Sequence, residues 1–139
     1  MTRRAFPLLV LSREAAEQYQ PEGREICISI RDPWYPPASL SPAFHAVLDL
    51  AFSDITEAET DVDVIFCADH AVEIIRFVNR FAELDRIVVH CHVGASRSPG
   101  VALGLCDHFD WPTEELEQSY PAWNRLVRQV LAAQRNREE

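Results

Sequence analysis

The hydrophobic residues of this chain form short apolar runs, and each run is followed by a segment with helical spacing. Runs of four to seven apolar, often β-branched residues predict strands. The predicted strands are Leu8–Leu11, Ile26–Ile30, a strand within Ala46–Phe52, and Arg86–His90. The last is almost continuously apolar, which is typical of a central strand in a parallel sheet that is covered on both faces.

The spacing of apolar residues predicts helices in the segments between and after these strands. A serine cap at Ser12 opens a first helix, and Pro99 is compatible with the first turn of another because it has no helical hydrogen bond to lose there. The other predicted helices are Asp69–Phe81, Thr113–Tyr120 and Pro121–Gln134, and Pro99 begins one that ends at Phe109. Strands alternating with helices predict an α/β fold with a central, mostly parallel sheet of about four to five strands flanked by helices. A length of 139 residues predicts one domain, 1–139.

Composition narrows the function classes. A formal net charge of −9 argues against a nucleic-acid or anionic-membrane partner, because such proteins normally present a basic face. The apolar run near the amino end is too short for an export signal or a membrane anchor. We therefore expect a cytoplasmic protein whose four cysteines are free thiols. No metal site is expected, since adjacent side chains in His90-Cys91-His92 point to opposite sides of an extended chain. The oligomeric state is left open.

The chemistry is concentrated where the strongest strand ends. Cys91 follows that strand and precedes a helix, so the backbone N–H groups of the connecting loop can surround a tetrahedral anion. Gly94 suits a tight turn close to the ligand, and the planar guanidinium of Arg97 can hold two phosphate oxygens. Ser98 can donate a hydrogen bond to the sulfur, and His90 can fix the loop from the strand side. The expected phosphate-binding residues are His92, Val93, Gly94, Ala95, Ser96 and Arg97.

The sequence from His90 to Ser98 resembles the signature of the protein tyrosine phosphatase superfamily, which is His-Cys, five residues, Arg, then Ser or Thr. The short chain looks like the compact dual-specificity branch. Its opening Leu-Ser-Arg, its Phe-x-Asp-Ile segment and its helical tail look similar to small bacterial predicted tyrosine phosphatases. The resemblance implies that the Cys91 thiolate attacks phosphorus to give a cysteinyl-phosphate, without a cofactor. It also implies an aspartate upstream that protonates the leaving oxygen and later activates water.

Several aspartates could be that general acid. Asp54 is the first choice, because it stands at the end of the third strand; Asp61, Asp63 and Asp69 are rivals. The end of the second strand should also border the pocket.

That strand end nominates Arg31 as a substrate clamp and Trp34 or Tyr35 as an apolar wall. The alternatives are a solvated Arg31–Asp32 pair and a Trp34 that packs in the core.

These residues support three hypotheses. The first is a phosphomonoesterase that acts on phosphotyrosine, and also on phosphoserine if it has dual specificity. The second keeps the chemistry but takes an inositol polyphosphate or another small phosphoester, although the loop carries few basic residues for such a ligand. The third is a catalytically silent module that binds a phosphorylated partner. The partner is in each case a phosphorylated protein or a small phosphoester.

Overall fold

The computed structural model describes residues 7–55 and 63–134, and the secondary structure closely follows the hydrophobic pattern. The strands are β1 (Leu8–Leu11), β2 (Glu25–Arg31), β3 (Ala46–Ala51) and β4 (Arg86–His90). The helices are α1 (Arg13–Gln18), α2 (Ala68–Asn79), α3 (Arg97–Phe109), α4 (Glu114–Ser119) and α5 (Arg125–Ala133). The α/β class is confirmed. The largest shift in a boundary is at α5, which begins at Arg125 rather than near Pro121.

The four strands form one sheet in the order β1-β4-β2-β3. All three strand pairs are parallel, so the predicted parallel sheet is confirmed. The strand β4 lies between β1 and β2, as its apolar sequence predicts. Its carboxyl end therefore has a strand on each side, and the loop that follows it leaves from the middle of the sheet.

Alternating side chains of the central strands point into two separate apolar clusters. On one face, Ile87 and Val89 of β4 pack with α2, α3 and α5 in the larger core. On the other face, Val88 packs with Cys27, Phe44 and partly buried side chains of β1 and of the residue after α1, Tyr19, in a smaller core. Because side chains alternate along a strand, His90 points toward the smaller core and Cys91 joins the larger one.

Helix α3 begins at Arg97 and is buried over most of its length. Pro99 lies in its first turn, where backbone N–H groups have no partner within the helix. Gly100 allows α5 to approach closely, since a β-carbon there would lie 2.9 Å from the carbonyl oxygen of Asn124. The start of α5 is thereby packed beside the start of α3.

Within the described ranges, none of the helices is long and apolar enough to cross a membrane. The four cysteines are free: Cys27, Cys91 and Cys106 are buried, and Cys67 is exposed.

Candidate active site

The sulfur of Cys91 lies at the start of the loop between β4 and α3, which we call the phosphate loop (residues 91–97). Cys91 is buried, and its Sγ accepts a hydrogen bond from the backbone N–H of Gly94 at 3.2 Å. The Oγ of Ser98 lies 3.1 Å from the same sulfur. A backbone N–H donor and a hydroxyl that can donate thus both face the sulfur.

Gly94 gives the phosphate loop its tight turn. Its φ of +83° lies in the left-handed region, which residues with a β-carbon rarely adopt. The loop also passes close to the end of β1: a β-carbon on Gly94 would lie 2.8 Å from the carbonyl carbon of Leu11 and from the backbone nitrogen of Ser12. Nearby, the N–H of Arg13 donates to the carbonyl of His92 at 3.1 Å. The sequence from β1 into α1 thus supports the loop from outside.

His90 ties the end of β4 to β2. Its Nε2 lies 2.6 Å from the Oγ of Ser29, its register partner in the sheet, and its Nδ1 lies 3.2 Å from the carbonyl oxygen of Cys91. A carbonyl can only accept, so Nδ1 carries the hydrogen and Nε2 accepts from the Ser29 hydroxyl. Burial lowers the pKa of His90, which is fully enclosed, and the imidazole is therefore neutral at neutral pH. This contact fits the supporting role expected for His90.

Arg97 is anchored by groups outside the phosphate loop. Its Nη1 donates to Oδ1 of Asp32 and to the carbonyl oxygen of Phe52, both at 2.9 Å. The side chain is only 5% exposed, and its Nε is buried without a hydrogen-bond partner in the part of the chain that the structure describes. One edge of the guanidinium is thus held by the protein, and a buried donor is left for another acceptor.

Asp54 contacts the phosphate loop directly. Its Oδ1 accepts a hydrogen bond from the Oγ of Ser96 at 2.8 Å and another from the Nδ2 of Asn124 at 3.0 Å. Val64 lies next to this segment, since the N–H of Ser53 donates to the carbonyl of Val64 at 2.7 Å. The end of β3 therefore places this carboxylate at the edge of the loop.

The other candidate acids occupy different places. Asp69 lies in the first turn of α2 and lines a cavity of about 630 Å³ between β3 and α2. Asp63 lies just before Val64, and Asp61 lies outside the described residues. Asp54 and Asp32 each make a hydrogen bond to a side chain of the phosphate loop.

The segment after β2 contacts the phosphate loop through Tyr35. The rings of Tyr35 and His92 meet edge to face, with centroids 5.6 Å apart, while the side chain of Trp34 is 67% exposed. Val93, within the phosphate loop, is 72% exposed. Trp34 is thus a surface residue next to Tyr35, not the core residue of the alternative interpretation.

The side chain of Arg31 makes its identified hydrogen bonds to β3 and to its own segment. Its Nε and Nη2 donate to the carboxylate of Asp49 at 3.1–3.2 Å, and its Nη1 donates to the carbonyl of Tyr35 at 2.7 Å. The carboxylate of Asp32, the expected surface partner, binds Arg97 instead. Arg31 therefore holds the segment after β2 to β3, and its role as a substrate clamp stays a prediction.

Two other cysteines have no features of a nucleophile. Burial raises the pKa of both Cys27 and Cys106 to about 12, so they remain thiols in the core. Within residues 7–55 and 63–134, no group of three or more His, Cys, Asp or Glu side chains is arranged to hold a metal ion.

Sequence reasoning missed three residues of this site, which are Ser29, Asp32 and Asn124. Ser29 carried a signal, because a hydroxyl inside an apolar central strand requires a buried partner. Asn124 carried a weaker one, as a helix-capping residue before an amphipathic segment. Nothing in the sequence connects Asp32 to Arg97, because that contact depends on how β2 lies beside the loop.

Solved structures share this architecture. Human DUSP28 is 18% identical, with 99% of this chain and 97% of the human chain covered, at a TM-score of 0.59. The chain described here therefore has the protein tyrosine phosphatase fold. The human tyrosine phosphatase-like serine/threonine/tyrosine-interacting protein is 15% identical, covers 91% of this chain and 89% of its own, and also has a TM-score of 0.59. No family model and no curated protein matches the sequence. The expected resemblance to the superfamily is thus confirmed as a shared fold, which alone does not separate a hydrolase from a protein named as phosphatase-like and interacting.

Proposed function

We propose that this protein is a cysteine-dependent phosphomonoester hydrolase that acts on phosphotyrosine. The observation that carries the proposal is the position of the Cys91 sulfur, within hydrogen-bond distance of both the Gly94 N–H and the Ser98 hydroxyl at the start of α3. The helix dipole and the loop amides favour negative charge at this point, on the sulfur and on a bound phosphate.

The proposed reaction has two steps. In the first, the thiolate of Cys91 attacks phosphorus, so that an S–P bond forms while the bond from phosphorus to the substrate oxygen breaks. Arg97 and the loop amides bind the non-bridging oxygens, and Asp54 gives its proton to the departing oxygen. In the second, a water attacks phosphorus and gives a proton to Asp54, the S–P bond breaks, and Ser98 donates a hydrogen bond to the leaving sulfur.

Asp54 suits proton transfer better than Asp32 does. Asp32 makes an ion pair with Arg97 and so serves to anchor that side chain. The two donors that contact Asp54 are both neutral, a hydroxyl and an amide, and both bind the same oxygen. The other oxygen of Asp54 is the one that would carry the proton.

The walls of the site support an aromatic phosphoester as substrate. Val93 of the phosphate loop presents exposed apolar surface, and so does Trp34, the neighbour of Tyr35, whose ring packs against His92. An aryl ring could bury area against these side chains, whereas a polyphosphate would need further free cations. The proposal includes a reducing compartment such as the cytoplasm, since Cys91 must remain a thiol or thiolate to react.

The test compares hydrolysis of 4-nitrophenyl phosphate and phenyl phosphate by the purified protein in the presence of a chelator. Cys91→Ser should abolish turnover of both, because a hydroxyl is a far weaker nucleophile than a thiolate. Asp54→Asn should lower kcat/KM by about 100-fold or more for phenyl phosphate and much less for the nitro compound, whose leaving group needs little protonation.

The matched control is Cys67→Ser, which removes an exposed thiol from the residue that caps α2. Serine should preserve the helix, because it is itself a good cap. This variant should keep full activity. Turnover that survives in Cys91→Ser would overturn the proposal. Phosphotyrosine binding without any phosphate release by the unaltered protein would favour a silent binding module instead.

A further inference from the structure

The strand β3 stands at one edge of the sheet. In the order β1-β4-β2-β3, its strand neighbour in the part of the chain that the structure describes is β2. Proteins usually protect such an edge with lysine, proline or a very short strand. β3 has six residues with neither lysine nor proline and presents an exposed Val47, whereas β1 at the other edge has four residues. The one charged residue of β3, Asp49, is paired with Arg31. The outer backbone groups of β3 are thus suited to pairing with a further strand.

Helix α2 presents a row of side chains beside this edge. The helix packs against β3 and α5. The members of the row recur every three or four residues and therefore share one face of the helix. Together with Leu48 of β3 they line a cavity of about 630 Å³. We call the strand edge and this row the β3 face. Its helical members are Asp69, Val72, Glu73, Arg76, Phe77 and Arg80.

The charges of this row are divided along the helix. Asp69 and Glu73 occupy its amino-terminal half, and Arg76 and Arg80 occupy its carboxyl-terminal half and the residue that ends it. All four residues are exposed. When two such helices lie antiparallel, the acidic half of each faces the basic half of the other. The row is therefore complementary to a second copy of itself, which is what a two-fold symmetric contact requires.

We propose that the β3 face binds a second copy of this chain, with β3 of one copy antiparallel to β3 of the other. A two-fold axis perpendicular to the sheet would join the two four-stranded sheets edge to edge. The same axis places both α2 helices side by side on one face of the joined sheet and in opposite directions. The exposed Val47 and the half-buried Leu48 would lose contact with water, which favours association.

The order of charges favours a second copy over another occupant. An extended segment of a different protein would satisfy the strand edge, but it would have to supply the reversed charge order on a neighbouring element. The net charge of −9 on each copy opposes association only weakly at physiological salt, where the Debye length is about 8 Å and adjacent side chains are screened least. The β3 face does not include the phosphate loop, so the inference is independent of the proposed function.

The experiment is sedimentation velocity of the full chain over a range of concentrations in 0.15 M salt. The unaltered protein should change from monomer to dimer as its concentration rises. Glu73→Arg and Arg80→Glu should each raise the Kd of the dimer by about tenfold or more, because the two-fold axis makes every charge reversal act twice and like charges placed together are costly. An equimolar mixture of the two variants should recover the dimer, since each reversed charge then faces its opposite across the axis.

Two further measurements complete the test. Glu115→Arg is the matched control, because it reverses the same charge beside β1, at the other edge of the sheet. It should leave the Kd within about twofold. Hydrogen exchange of the backbone amides in residues 46–51 should slow as the concentration of the unaltered protein rises, because strand pairing protects them.

Recovery of the dimer in the mixture also shows that both variants are folded. A protein that stays monomeric at every concentration would overturn the proposal and would leave this edge to a segment of another protein. A dimer that neither charge reversal weakens, or one whose formation leaves the exchange of residues 46–51 unchanged, would assign the contact to another surface and would equally overturn it.

Discussion

Replacing Gly94 with alanine tests whether the geometry of the phosphate loop governs both folding and activity. The added β-carbon would lie 2.8 Å from two backbone atoms, the carbonyl carbon of Leu11 and the nitrogen of Ser12. Neither can turn away as a flexible side chain could. The backbone at this position also has a φ of +83°, which alanine adopts poorly.

The cost follows from these two features. A left-handed conformation costs a residue with a β-carbon about 1–2 kcal/mol. Overpacking against a rigid neighbour adds about 1–3 kcal/mol. We therefore expect the free energy of unfolding to fall by about 2–5 kcal/mol. A loop that shifts to relieve the contact would also move the Gly94 N–H away from the Cys91 sulfur, and loss of one such donor typically lowers turnover by about 100-fold or more.

The assay is urea denaturation together with kcat/KM for an aryl phosphate. Gly23→Ala is the matched control, because the atoms nearest to a β-carbon at Gly23 belong to the side chain of Asp85, which can rotate away with the loss of one exposed hydrogen bond from the Arg24 N–H. This control should cost less than about 1 kcal/mol and leave activity intact. If Gly94→Ala and Gly23→Ala gave the same urea midpoint and the same kcat/KM, the reasoning about the loop would be refuted.

Two further predictions concern buried ionisable groups. Because burial lowers the pKa of His90, the unfolded chain binds its proton first, and stability should be lost as pH falls below about 6.5, by up to about 1.4 kcal/mol per pH unit. In His90→Asn, the urea midpoint should fall less steeply with decreasing pH than in the unaltered protein. Some pH dependence should remain, because burial also lowers the pKa of His70. Equal dependence of the midpoint on pH in both proteins would contradict a buried neutral imidazole at His90. Asp32→Ala should lower the free energy of unfolding by about 2 kcal/mol, which is less than for a fully buried ion pair because Asp32 is 24% exposed. It should also weaken inhibition by phosphate, because Arg97 loses its anchor. Unchanged stability and unchanged phosphate inhibition together would show that Asp32 does not hold Arg97.

The sequence predicts the elements well because each has a single clear periodicity. Strand Arg86–His90 has the predicted bounds, and Ser12 caps α1 through the N–H of Ala15. Strand order is less accessible, since an apolar run does not state its neighbours. The start of α5 was misplaced because Pro121 is compatible with a first turn, whereas the helix is in fact capped by Asn124.

The site likewise has a part that the sequence predicts and a part that it does not. The residues from His90 to Ser98 are contiguous, so one strand-loop-helix unit places them together and a sequence motif can describe them. Contacts made by Arg97 and Asp54 join segments that are 42 to 70 residues apart, and they depend on the packing of β2, β3 and α5. Arg31 was nominated from its place at the end of the second strand, which puts it at the sheet edge but does not give its partner, Asp49.

The choice between a hydrolase and a silent phosphate-binding module depends on what each function requires. A module needs the loop amides and Arg97, but a carboxylate at the rim would repel a phosphate dianion and weaken binding. Here Asp54 is held at that rim by two donors, one from the phosphate loop itself and one from the buried Asn124. A protein that only binds phosphate gains nothing from fixing a repulsive group in this position. Proton delivery requires such a group, and we therefore favour catalysis over binding alone.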